Sequence, residues 1–103
     1  MVQISFLTVH EDDAVALAAV LNERRLLLYD TIEEHVDLLW DGETPERRRL
    51  THLSGVTKAL LYSVVEKVAR ETLGDRLVRI WATPVTSLDP DSTRHLMEWT
   101  AKV

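Results

Sequence analysis

The chain has 103 residues, 46% of them hydrophobic and 28% charged, with a formal net charge of -5 and no cysteine. That size fits one domain, residues 1–103, and the composition excludes disordered and membrane-spanning classes. The acid excess excludes a phosphate-tracking nucleic-acid binder, which needs a basic face, and the missing thiols exclude disulfides, thiolate nucleophiles and zinc-thiolate sites.

Val2-Gln3-Ile4-Ser5-Phe6 alternates with period two and predicts a first strand. No basic stretch followed by a long apolar run marks a leader at this end, so a cytoplasmic home is expected. Thr8-Val9-His10-Glu11 fits a capping box, with a hydroxyl at the N-cap and a carboxylate three residues on. Asp12 and Asp13 then put negative charge where the helix dipole favours it. The predicted helix runs from Asp12 to Leu26, buries Ala14, Leu17, Ala18 and Leu21, and carries Arg24 and Arg25 at its cation-favouring end.

From Leu27 the period changes. Ile32, Val36, Leu38 and Trp40 share one parity, while Thr31, Glu33, His35 and Asp37 share the other, so one strand face is greasy and one wet. Glu34 interrupts the greasy parity and predicts a bulge near Glu33-Glu34. Asp41-Gly42 signals the turn of a hairpin, and Pro45 marks a longer loop or an edge position. The strand returns through Arg48 to Leu53, ending before Gly55, with Arg47-Arg48-Arg49 read as a solvated strand end.

Thr57 is the expected N-cap of a second helix reaching Leu73, with Leu60, Leu61, Val64, Val65 and Val68 as its buried stripe and Gly74 just past its end. Leu77 to Thr83 is a last strand, closed by Pro84. Asp89-Pro90-Asp91 opens a short terminal helix with proline at its first position, and Leu96 and Trp99 are its expected buried residues. The order is β-α-β-β-α-β. This predicts an α+β fold, a ferredoxin-like sandwich with an antiparallel sheet, a long hairpin and a short C-terminal helix. Such a fold leaves one sheet face bare.

Four landmarks come in sequence: a first strand running into Thr8 and an acidic helix start; Trp40-Asp41-Gly42 at the hairpin tip; Thr83-Pro84-Val85 after the last strand; and Leu96-Met97-Glu98-Trp99 on the tail helix. In this order and spacing the chain resembles the CutA family of divalent-cation tolerance proteins, within the wider PII-like superfamily, over nearly its whole length. The resemblance implies a homotrimer whose hairpins reach across to neighbouring subunits. It also implies a role in divalent-cation (copper) tolerance or small-ligand sensing, without enzymatic activity. The chain departs from the family where Leu7-Thr8 replaces a frequent cysteine. It departs again where Thr72 to Arg79 lacks the common His-Pro-Tyr…Pro-Glu stretch. Both changes remove residues usually suspected of metal contact, so no metal site carries over.

The residues themselves point the same way. His10, His35, His52 and His95 form no i, i+4 helix pair or i, i+2 strand pair, so structural or solvent roles are expected for all four. Glu33, Glu34 and Asp37 are carboxylates without a nucleophile beside a base, and no Gly-rich run cradles a phosphate. No catalytic residue, metal ligand or cofactor is therefore assigned. Tyr29, His35, Val36, Leu38, Trp40 and Trp81 are the expected subunit-interface or inter-subunit-cleft residues, with His35 or Tyr29 as the polar handle of any cleft. The expected partner is the chain itself, with a divalent cation or small ligand possible and no nucleic acid or membrane. The alternative is a ferredoxin-like protein-interaction or dimerisation module with neither metal nor nucleotide.

Overall fold

A strand's side chains alternate between two faces, so the register of each pair decides what the sheet can bury. The computed structural model describes all 103 residues and places four strands: β1 (Val2–Thr8), β2 (Leu28–Trp40), β3 (Pro45–Thr57) and β4 (Leu77–Pro84). They form one antiparallel sheet in the order β2-β3-β1-β4. Ile4 pairs with Gly55 and Ala82, and Phe6 with Leu53 and Ile80, so these residues share one face. Helices α1 (Glu11–Glu23) and α2 (Tyr62–Leu73) cover it, and Ala14, Leu17, Leu21, Val65 and Ala69 join Ile4, Phe6 and Leu53 in one buried cluster. The predicted element order and the α+β ferredoxin-like fold are what the structure shows. Gly55 is required here, because a β-carbon on it would stand 2.5 Å from Leu27 Cγ.

The start of α1 differs from expectation. Thr8 is the last residue of β1, paired with Thr51, so it cannot also cap the helix. His10 holds the N-cap position without a side-chain cap, and the Thr8 hydroxyl instead donates to the His10 carbonyl at 2.8 Å. The other end is a Schellman closure: Leu26 N–H reaches Leu21 O at 2.8 Å and Arg25 N–H reaches Asn22 O at 3.0 Å. Arg25 occupies the left-handed position at φ 58°, where glycine is usual.

Thr57 likewise is not a cap. It ends β3 opposite Val2, and a single tight turn (Ala59–Leu61) precedes α2. That turn rotates the predicted stripe: Leu61, Val65 and Val68 are buried, whereas Leu60 and Val64 point outward. The terminal helix α3 (Pro90–Trp99) starts as read, with the Asp89 carboxylate accepting from Ser92 N–H at 2.9 Å and Leu96 buried. Trp99 is half-buried.

The hairpin is where sequence parity misleads. The register runs unbroken from Thr31–Ser54 to Trp40–Pro45, and the irregularity falls at Tyr29 and Asp30, not at Glu33-Glu34. Tyr29 has φ 59° there. Glu34 keeps its place in the pleat and pairs across the strand with Arg49 at 3.2 Å. Ile32 lies opposite Leu53, so the greasy parity turns toward the helix side of the sheet, not the bare face. Beyond Thr8–Thr51, however, β2 and β3 pair only with each other. Val36, Leu38 and Trp40 therefore overhang the helices, and are 42%, 53% and 68% exposed.

The overhang shows in the dimensions. The chain extends 49 × 28 × 20 Å with a radius of gyration of 14.6 Å, against about 13 Å for a compact domain of this length. Its accessible surface is 6562 Å², where a monomer of this size would expose about 5,900 Å². No helix is long and apolar enough to cross a membrane.

Candidate functional site on the open sheet face

Register places Ser5 and Leu7 of β1, Arg48, Leu50, His52 and Ser54 of β3, Arg79 and Trp81 of β4, and Glu33, His35 and Asp37 of β2 on the face without helices. The face is cupped. Arg79 Nη2 lies 3.5 Å from Asp37 Oδ2 although their strands sit on opposite edges of the sheet. Three strand spacings of about 4.8 Å separate those edges in a flat sheet, farther than the two side chains reach together. Curling toward this side closes the gap, and accordingly Leu7 and Leu50 are buried here without a covering helix.

Asp37 is the hub. Its Oδ1 accepts from His35 Nε2 at 2.6 Å, and its Oδ2 accepts from Arg48 Nη2 at 3.1 Å. The hydrogen bond from His35, then that from Arg48, with the nearby charge of Arg79, hold its carboxyl below the usual range. An aromatic run continues the network. The His35 and His52 rings meet edge-on at 5.9 Å, and His52 stacks on Trp81 at 5.5 Å. Burial pushes the His52 imidazole below its ordinary pKa, assisted by the charge of His35 and opposed by Glu33. His52 Nε2 and Arg48 Nε are buried without a partner in a single chain. Orphan polar nitrogens of this kind call for something to complete them.

The expected site residues divide. His35 and Trp81 are joined through His52, a link that the isolated sequence did not suggest. Val36, Leu38 and Trp40 lie on the opposite face of the hairpin. Tyr29 sits at the irregularity, its hydroxyl donating to Ser92 O of α3 at 3.4 Å, with the His95 ring 6.4 Å away. Asp37, Arg48 and Arg79 were the missing members. Closing the four-residue loop 41–44 so that Trp40 meets Pro45 would have found two of them, since counting back pairs Asp37 with Arg48 and Glu33 with His52.

The chemistry this face can do is limited. Ser5 and Ser54 stand opposite each other, and the His35 imidazole is engaged by the Asp37 carboxylate at 2.6 Å. No three His, Asp or Glu side chains converge as a cage for a metal ion. The residues of one chain do not fit a resident divalent cation.

The shape decides the comparison. CutA1 of Pyrococcus horikoshii superposes with a TM-score of 0.85 at 18% identity, covering 99% of this chain and 100% of that one. The divalent cation tolerance protein of Thermus thermophilus gives 0.84 at 19% identity, with 98% and 100% covered. The chain has the CutA1 fold. CutA1 of Oryza sativa matches equally well, with a TM-score of 0.87 at 12% identity over 99% of this chain and 94% of that one. By sequence, the chain matches no protein-family model and no curated protein. The likeness is thus one of fold, at low sequence identity.

Proposed function

We propose that this chain is a non-enzymatic, self-assembling CutA-like protein, a cytoplasmic homotrimer that serves divalent-cation tolerance or small-ligand sensing. One observation carries the reading: the superposition on CutA1 proteins covers nearly the full length of both chains. Two features of the single chain support assembly. The hairpin overhang leaves apolar side chains uncovered, and the cupped face holds two buried polar nitrogens without partners. Burying a few hundred Å² of such surface per copy, at about 25 cal/mol per Å², contributes several kcal/mol, comparable with the net stability of a domain.

The absent cage shapes the cation half of the proposal. A cation would have to be met by groups from several copies, and affinity for copper is expected to be weak, with calorimetry giving no sub-micromolar binding. The protein-interaction alternative draws on the same uncovered hairpin. Native mass spectrometry of protein purified without added metal separates the two: three chains support the proposal, whereas a lone chain or a dimer favours the interaction module. Cells lacking the protein should grow less well at elevated copper, and unchanged growth would remove the tolerance role.

A further inference from the structure

Beyond the Glu34–Thr51 pair the hairpin is a two-stranded ribbon, and a ribbon of this kind twists readily and is barely stable alone. Its angle to the rest of the sheet is set by what its side chains touch. Two ties lie on the open face. Asp37 Oδ2 meets Arg79 Nη2 of β4 at 3.5 Å, and the His35 ring meets the His52 ring, which stacks on Trp81. His35 and Asp37 belong to the ribbon, whereas His52, Arg79 and Trp81 are paired to β1 in the body of the sheet. The 2.6 Å bond from His35 to Asp37 joins the two ties into one unit. Arg79 is half-exposed, and an ion pair of that kind contributes little alone. The ring contacts therefore carry much of the hold.

We propose that these contacts form a latch fixing the hairpin ribbon to the body of the sheet, and that a proton on His52 releases it. His52 Nε2 is buried without a hydrogen-bond partner. A neutral ring can leave that nitrogen bare, but a protonated ring carries N–H on both nitrogens, and the inner one becomes a charged donor with nothing to accept it. The charged and titratable groups facing the ring are Glu33, His35 and Asp37 on β2, Arg48 on β3 and Arg79 on β4, while β1 brings only Ser5 and Leu7. Two arginines balance two carboxylates, so the added proton is an uncompensated charge, repelled by His35 whenever that ring is charged as well. Burial is the largest obstacle to charging His52, and Glu33 opposes it. Glu33 stands directly across from His52 and is exposed, so the charged ring meets this carboxylate by turning off Trp81 and away from His35. The latch acts within one chain, so it goes beyond the assembly reading and is tested apart from it.

Trp40→Phe with Trp99→Phe leaves Trp81 as the single tryptophan. In that chain, quenching of Trp81 fluorescence by acrylamide should rise roughly twofold as pH falls from about 7.5 to about 5, with a midpoint below about 6.5. Adding His52→Phe should hold quenching at its level near neutral pH, and adding Glu33→Gln should move the midpoint to lower pH. The absence of cysteine allows a second measurement on a chain with all its tryptophans. Nitroxide labels at Glu43→Cys on the hairpin loop and Glu71→Cys on α2, diluted with unlabelled protein, should show a distance that changes over the same pH range and stays constant with His52→Phe. Dimming of Trp81 without greater acrylamide access would mean that the charged ring stays stacked, and overturns the release. A label distance that does not move with pH, or a quenching step that survives His52→Phe, overturns it as well.

Discussion

His52 is the residue where burial, stacking and charge meet, and it makes stability depend on pH. Its folded-state pKa is lowered, so between that value and the unfolded value near 6.5 the unfolded chain binds the extra proton. Stability should therefore begin to fall as pH drops below about 6.5. Asp37, also lowered, keeps its contribution until pH approaches about 4, where the unfolded carboxyl protonates first and a second loss begins. His52→Phe keeps a ring on Trp81 and removes the orphan nitrogen. Denaturant titrations at fixed protein concentration should show the upper step gone and the lower one intact, with an advantage over the wild type that grows as pH falls below about 6.5. A variant with the wild-type pH profile would show that His52 does not carry the upper step. Gly55 gives an opposite case. A methyl there drives into Leu27, so Gly55→Ala should cost about 1–3 kcal/mol by the same titration. Neither environment could be seen in the chain alone, because Leu27 and Gly55 meet only once β2 has folded back along β3.

At the scale of elements, the existence and order of strands and helices followed from hydrophobic period, and the errors sit where two elements compete for one residue. Thr8 and Thr57 each look like helix caps, yet each is the last paired residue of a strand and spends its backbone on the sheet. Asp89 has no strand to serve and caps α3 as its sequence predicts. The Schellman closure of α1 shows a local rule broken at measurable cost. Arg25 holds a left-handed conformation that costs an L-residue with a side chain roughly 1–2 kcal/mol. Its own N–H and carbonyl are both engaged, with Asn22 and Ala101, so the position is over-determined by its neighbours. Arg25→Gly should relieve the strain and, after the greater entropy of glycine in the unfolded chain, raise stability by up to about 1 kcal/mol. A thermal melt showing a loss would mean that the arginine side chain stabilises the closure more than its backbone strains it.

At the scale of the whole molecule, parity along β2 was legible but its meaning was not. Alternation tells which residues share a face, and only the register with β3 tells which face it is and whether anything covers it. The greasy residues turn toward the helix side and then run past the helices, so the chain exposes roughly 650 Å² more than a monomer of its size. If that excess is buried between copies, a charge on the overhang must be far worse than the same charge elsewhere. Leu38→Asp puts a carboxylate in the middle of the overhanging stripe, and Val15→Asp puts one on the outward side of α1, where the side chain is equally exposed in one chain. In an isolated subunit both changes are surface substitutions worth about 0.5 kcal/mol or less. In the assembly, Leu38→Asp buries an unpaired charge and should reduce the native mass to a single chain, with a melting temperature that no longer rises with protein concentration. Val15→Asp should keep both the assembled mass and the concentration dependence. Equal behaviour of the two variants would mean that the overhang remains in water and that a single copy sustains its own fold.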